Sequence, residues 1–193
     1  MNGRVEKGIT TRDVVLVALF AAFIIALGLI PPITVGIVPV PITLQTLGVM
    51  LAGVVLGPVR GMLSCALVML LVVVGLPVLA GGRGGIGVLA GPTGGYALGW
   101  IPGALVTGLL VKYWAVRLTR HWARIAAYAL SCVVGGILVV YLLGVPWLSV
   151  ATGVTLGKAV VGNLVFLPGD LIKAVAAALI GHGVHRSYSM PLK

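Results

Sequence analysis

Negative charge is nearly missing from this chain. Its 193 residues hold three carboxylates, Glu6, Asp13 and Asp170, and charged residues of both signs make up only 8%. A soluble domain covers its surface with about 25% charged residues, so a water-soluble globule is excluded. Cysteine is as scarce: Cys65 and Cys132 both fall in apolar stretches, where a thiol behaves as a small hydrophobe and carries no redox or metal signal. The three histidines, His121, His182 and His185, lack the spacing of a metal site. No Walker motif is present, so ATP hydrolysis does not reside in this chain, and no cofactor is implied.

What fills the sequence instead is hydrocarbon. Sixty per cent of residues are hydrophobic and the mean hydropathy is +1.22. Crossing a bilayer takes about 20 apolar residues per helix, because only helices and closed barrels satisfy their backbone groups there. Six candidate spans can be read, at 13–30, 43–58, 60–79, 93–113, 124–144 and 160–182. They are too continuously apolar for the alternating strands of a barrel. The expected architecture is all-α: one membrane domain over 1–193, with six transmembrane helices in a compact bundle. Thr10, Thr11 and Asp13 can cap the first helix. That segment has the outline of a signal peptide, but it ends in Pro31-Pro32 without a small-residue cleavage pattern, so it is read as a mature span.

Basic residues set the expected orientation. With six spans, Arg4, Lys7, Arg12, Arg60, Lys112, Arg117, Arg120, Arg124, Arg186 and Lys193 share one side, against Arg83 and Lys158 on the other. The positive-inside rule then makes both termini cytoplasmic, in a multi-pass protein of the inner (plasma) membrane. The net charge of +10 is accounted for by this topology and by anionic membrane lipids. Nucleic acid is not an expected partner, since no aromatic-interleaved basic face exists away from the membrane flanks. All three histidines map to the basic rim. An enzyme would need a second carboxylate, a histidine or an activated serine near Asp170, and none is found in the outer half.

The outer connections and the last span carry the functional signal. Residues 31–45 are apolar yet contain four prolines, which deny the segment a regular helix. Such a segment reads as a lid over a cavity, with Thr43 and Gln45 at its end, because irregular backbone near a membrane needs cover from protein or water. Eight of the fifteen residues from Gly81 to Gly95 are glycine, around a lone Arg83 that can receive an anion. Thr93, Tyr96 and Trp100 share one helical face beyond it. In the last span Asp170 is an ionisable group at membrane depth, which costs at least ~2.5–3.5 kcal/mol on insertion scales and calls for a partner or a polar ligand. On a continuous helix Asn163 and Asp170 share a face and Lys173 lies within a turn; Pro168-Gly169 is expected to kink that helix or open a half-helix. Two readings stay open here, an internal Asp170–Lys173 ion pair and a pocket for a small, mostly apolar ligand with one anionic and one amide-like group.

Three stretches together resemble the BioY family. They are Pro41-Ile-Thr-Leu-Gln-Thr-Leu-Gly-Val-Met-Leu-Ala-Gly53, the glycine-rich Gly75 to Gly99, and Leu167-Pro-Gly-Asp-Leu-Ile-Lys-Ala174. The resemblance implies the biotin-specific substrate-binding (S) component of an energy-coupling factor transporter. It also implies a T component (BioN-like) and an ATPase (BioM-like) as partners. It places the family's last-helix Asp and Lys on Asp170 and Lys173, and its loop arginine on Arg83. Biotin's ureido N–H groups suit Asp170 as acceptor, and its ureido oxygen could take a donor from Asn163, Gln45 or Lys173. Its carboxylate suits Arg83 or Lys173, and its rings suit walls from Tyr96 and Trp100. Ala18, Ala22 and Ala26 form a small-residue stripe on the first span, which the resemblance implies for docking on the T component; internal packing is the other use of such a stripe. A second class of function is a self-sufficient secondary transporter for a small anionic vitamin-like solute, with Asp170 as proton relay. It would favour two repeated halves, and none is visible.

Overall fold

The computed structural model describes residues 8–35, 39–188 and 192. Arg4, Lys7 and Lys193 of the charge count lie outside the described residues, as does part of the proline-rich segment. The described chain is all-helical, in the order α1 (Thr11–Gly28), α2 (Gln45–Leu51), α3 (Pro58–Val74), α4 (Ile86–Ala90), α5 (Gly94–Tyr113), α6 (His121–Cys132), α7 (Val140–Thr152), α8 (Leu156–Asn163) and α9 (Leu167–Ser187). Two π-helical segments, Ala52–Leu56 and Val133–Val139, continue α2 and join α6 to α7.

Four helical stretches are long and apolar enough to cross a membrane: Thr11–Gly28, Gly94–Arg117, His121–Thr152 and Leu156–Ser187. Gln45–Leu56 and Pro58–Val74 are shorter apolar helices. The ends differ from the sequence expectation where backbone signals outrank hydropathy. Gly57 and Gly75, both at positive φ, cut the second and third stretches to 45–56 and 58–74. The fifth and sixth run to 121–152 and 156–187, because apolarity falls away before helicity does and Pro146 is absorbed inside α7.

Helix α5 is central, packed on α3 and α7. Its close approaches rest on glycine: a Cβ on Gly108 would strike the backbone of Pro58 at 2.4 Å. That contact puts the start of α3 beside the end of α5. A buried ion pair closes the same end, where the Arg60 guanidinium on α3 grips Asp13 on α1, with Nε donating to Oδ1 at 2.7 Å. The other carboxylate oxygen of Asp13 accepts from the backbone N–H of Thr10 at 2.9 Å in a reciprocal capping box, as the capping residues led one to expect.

On α1, Ala21, Ile24 and Gly28 are buried against the bundle. Ala18, Ala22 and Ala26 lie on its exposed side. The stripe is therefore not spent on packing within the described chain.

Candidate functional site

The end of the bundle opposite the Asp13–Arg60 pair holds a cavity. Its mouth is formed by the proline-rich and glycine-rich connections, its walls by α2, α5, α7 and α9. Ile33 and Ile42 exchange backbone hydrogen bonds of 3.0 and 2.8 Å, which fold the proline-rich segment back on itself. Val40, Pro41, Ile42 and Thr43 then line the cavity. Across from them, positive φ at Gly81 and Gly82 turns the second connection so that Leu79 and Arg83 pair and also line it. Cavity and open mouth together span about 660 Å³.

Asp170 and Lys173 form the polar floor and are both nearly inaccessible, at 5% and 7%. The helix break does not fall at Pro168-Gly169 as expected. A tight 3-10 turn, Leu164–Phe166, precedes α9, and Pro168 stands in the first turn of α9, where a missing N–H costs nothing. Asp170 falls in that same first turn, where the helix dipole favours a negative charge. Lys173 Nζ donates to Asp170 Oδ1 at 2.8 Å and to Thr46 Oγ1 at 3.0 Å. The Tyr141 hydroxyl donates to Asp170 Oδ2 at 2.7 Å, and the Thr46 hydroxyl reaches Oδ1 at a long 3.4 Å. The ion pair weighed from the sequence is made, and it faces a cavity.

Trp100 and Tyr96 line that cavity as expected. Tyr96 meets Tyr141 and Phe166 edge to face, with centroids 6.3 and 6.4 Å apart. It lies flat on α7 only because residue 144 has no side chain: a Cβ on Gly144 would sit 2.3 Å from the Tyr96 ring.

Two expected donors are placed differently. Asn163 is not on the cavity wall. The 3-10 turn after it winds more tightly than an α-helix, so the seven-residue spacing no longer puts it on the face of Asp170. It stands behind Tyr96 and accepts from the Tyr96 hydroxyl at 2.8 Å. Gln45 lines the cavity, but its amide is engaged. Nε2 donates to the carbonyls of Ile24 and Val78 at 3.3 and 3.1 Å, and Oε1 accepts from the N–H of Ala80 at 2.8 Å. Both amide hydrogens are used, so Gln45 has no donor left for a ligand oxygen; it holds the glycine-rich connection to α1 and α2. Gly28 makes the notch for it, since a Cβ there would meet Nε2 at 2.8 Å.

Arg83 sits half-buried at the mouth, its Nε donating to the carbonyl of Ala80 at 3.0 Å. Burial draws its pKa below the usual value. A guanidinium stays charged through such a shift, and its remaining N–H groups can meet an anion. Thr46 and Tyr141 were not singled out by sequence. Tyr141 had a signal, a hydroxyl in the middle of an apolar stretch and not at its edge; Thr46 had only its place beside Gln45.

The BioY family model matches residues 1–190. Among curated relatives, "Biotin transporter BioY" of Rhizobium etli is 51% identical over 185 residues, covering 94% of this chain and 97% of the relative. The protein of the same name from Rhodobacter capsulatus is 47% identical over 182 residues, covering 90% and 93%. Among solved structures, the S-component for biotin from an ECF-type ABC transporter superposes with a TM-score of 0.85 at 35% identity, over 91% of each chain. A family match running nearly from end to end, with the fold shared at that closeness, means that the chain belongs to the BioY family.

Proposed function

We propose that this chain captures biotin from the outer face of the plasma membrane, as the S component of an energy-coupling factor importer. It is a transport protein and not an enzyme. The observation that carries the reading is the buried Asp170–Lys173 pair facing a cavity with apolar walls. Carboxylate oxygens offer about four acceptor positions in all, and among the described residues Asp170 Oδ2 receives only Tyr141, so one position there remains for a ureido N–H. Lys173 spends two donors on Asp170 and Thr46 and keeps a third for the ureido oxygen. Lys173 is therefore committed to the floor, and Arg83 at the mouth is the cation for the valerate carboxylate. Tyr96, Trp100, Val140 and Phe166 enclose the rings and tail.

In this reading the two shorter apolar helices also cross the membrane, which gives six crossings and puts both termini in the cytoplasm with the basic end of the bundle. The T component and the ATPase supply the energy, and the exposed Ala18–Ala22–Ala26 stripe is the docking face. The secondary-transporter alternative has no observation in its favour.

Calorimetric titration of the detergent-purified chain tests the ligand. Biotin is expected to bind, and biotin methyl ester to bind wild type and Arg83→Gln equally, because the ester lacks the group Arg83 holds. A loss of ester affinity in Arg83→Gln would remove that assignment. Ala22→Trp is expected to leave biotin affinity unchanged while abolishing co-purification with the T component; a normal yield of complex would refute the docking face.

A further inference from the structure

We infer a second ligand site at the opposite end of the bundle, for a phosphate-bearing anion. Its source is the headgroup of an anionic phospholipid. A cavity of about 730 Å³, mouth included, lies where the ends of α5 and α9 meet α6, and it is bordered by Lys112, Arg124, His185, Tyr128 and Tyr188. His185 is fifteen residues beyond Asp170 on α9, roughly 22 Å along the helix, so this cavity is separate from the one described above.

Three features make it more than a basic rim. First, Lys112, Arg124 and His185 are half-buried, whereas rim cations ordinarily reach into water. Second, no described carboxylate neutralises them: Asp13 is paired with Arg60 and Asp170 with Lys173. Third, the donors are held in place from outside the cavity. Arg124 Nε donates to the Leu118 carbonyl at 2.8 Å and His185 Nε2 to the Val54 carbonyl at 2.8 Å. The terminal N–H groups of Arg124 are thereby oriented without being consumed. Tyr128 is fully buried against this cavity. A guanidinium fork, an ammonium and two phenol groups border this cavity with no described carboxylate among them, which matches a phosphate in charge and donor type. Basic pockets between helices on the cytoplasmic side of a membrane are where such headgroups bind.

The leaflet named here rests on the proposed orientation; the cavity does not. The test uses the whole chain in detergent, titrated with dioctanoyl phosphatidylglycerol, dioctanoyl phosphatidylcholine and inorganic phosphate, reading the thermal unfolding midpoint and, separately, biotin affinity. Phosphatidylglycerol is expected to raise the midpoint where phosphatidylcholine does not. Lys112→Gln, which touches neither the Leu118 nor the Val54 carbonyl, is expected to shift the response to about fivefold higher lipid concentration, with biotin affinity unchanged. If inorganic phosphate gives the same response with the same Lys112 dependence, the anion site stands and its source is soluble phosphate. Equal shifts from the two lipids would overturn the proposal, as would an unchanged response in both Lys112→Gln and Arg124→Gln. Loss of co-purification with the energising subunits in these variants, with the lipid response intact, would assign the cavity to a protein partner instead. Biotin binding that persists while the lipid test fails separates this inference from the proposed function.

Discussion

The two described carboxylates are both buried in ion pairs, and they do opposite things. Asp13 and Arg60 come from different helices, sit 47 positions apart, and join α1 to α3 while Asp13 also caps α1. Asp170 and Lys173 lie one turn apart on α9, so their pairing joins no elements. Their partners from elsewhere, Thr46 on α2 and Tyr141 on α7, converge on the floor of a cavity. Two charges buried without tying the fold together are a poor bargain for stability, since desolvation offsets most of their attraction. A pair across helices is a structural staple, and a local pair under a cavity leaves its charge facing the space where the proposed ligand would sit.

The largest expected effect breaks the staple. Arg60→Met leaves Asp13 buried without its partner and is expected to cost about 3–5 kcal/mol of stability, read as a lowered thermal midpoint, with biotin affinity of the folded fraction unchanged. A variant as stable as wild type would erase the distinction between the pairs. Next comes Asp170→Asn, which removes a charged acceptor: biotin affinity should fall by about 1.5–3 kcal/mol in calorimetry, while the midpoint moves less than in Arg60→Met. The comparison fails if stability suffers and affinity does not. The smallest effect sharpens it. Tyr141→Phe deletes one donor to Asp170 Oδ2 and is expected to weaken biotin binding by about 1 kcal/mol, because the carboxylate is held less firmly for the ligand. An affinity gain would mean that Tyr141 competes with biotin for the same lone pair.

How far the sequence could go is clear at particular residues. Asp170, Lys173 and Arg83 were legible as site candidates because a charge is costly or isolated where each stands, and Tyr96 and Trp100 because they share one helical face; the structure puts all five around one cavity. Asn163 was misplaced by assuming continuous helical periodicity, and three residues of tighter winding were enough to turn it away. Gln45 was read as a donor to ligand because its type allows it. Only the positions of Ile24, Val78 and Ala80 reveal that its amide is already used. The Asp13–Arg60 pair was invisible because a contact between residues 47 apart has no local pattern; each residue alone had an adequate reading, as a helix cap and as a flanking cation.

Composition by itself determined the solvent, the helical class and the end of the bundle that carries the positive charge. Those depend on totals and on local periodicity, which a linear string preserves. The tertiary structure decided which polar atoms are already satisfied and which still face open space. That choice is made by glycine-thin contacts such as Gly144 under Tyr96 and Gly28 under Gln45, where a single methyl group would separate the walls. A hydrogen bond is decided within a few tenths of an ångström, and sequence spacing does not resolve distance between helices that finely.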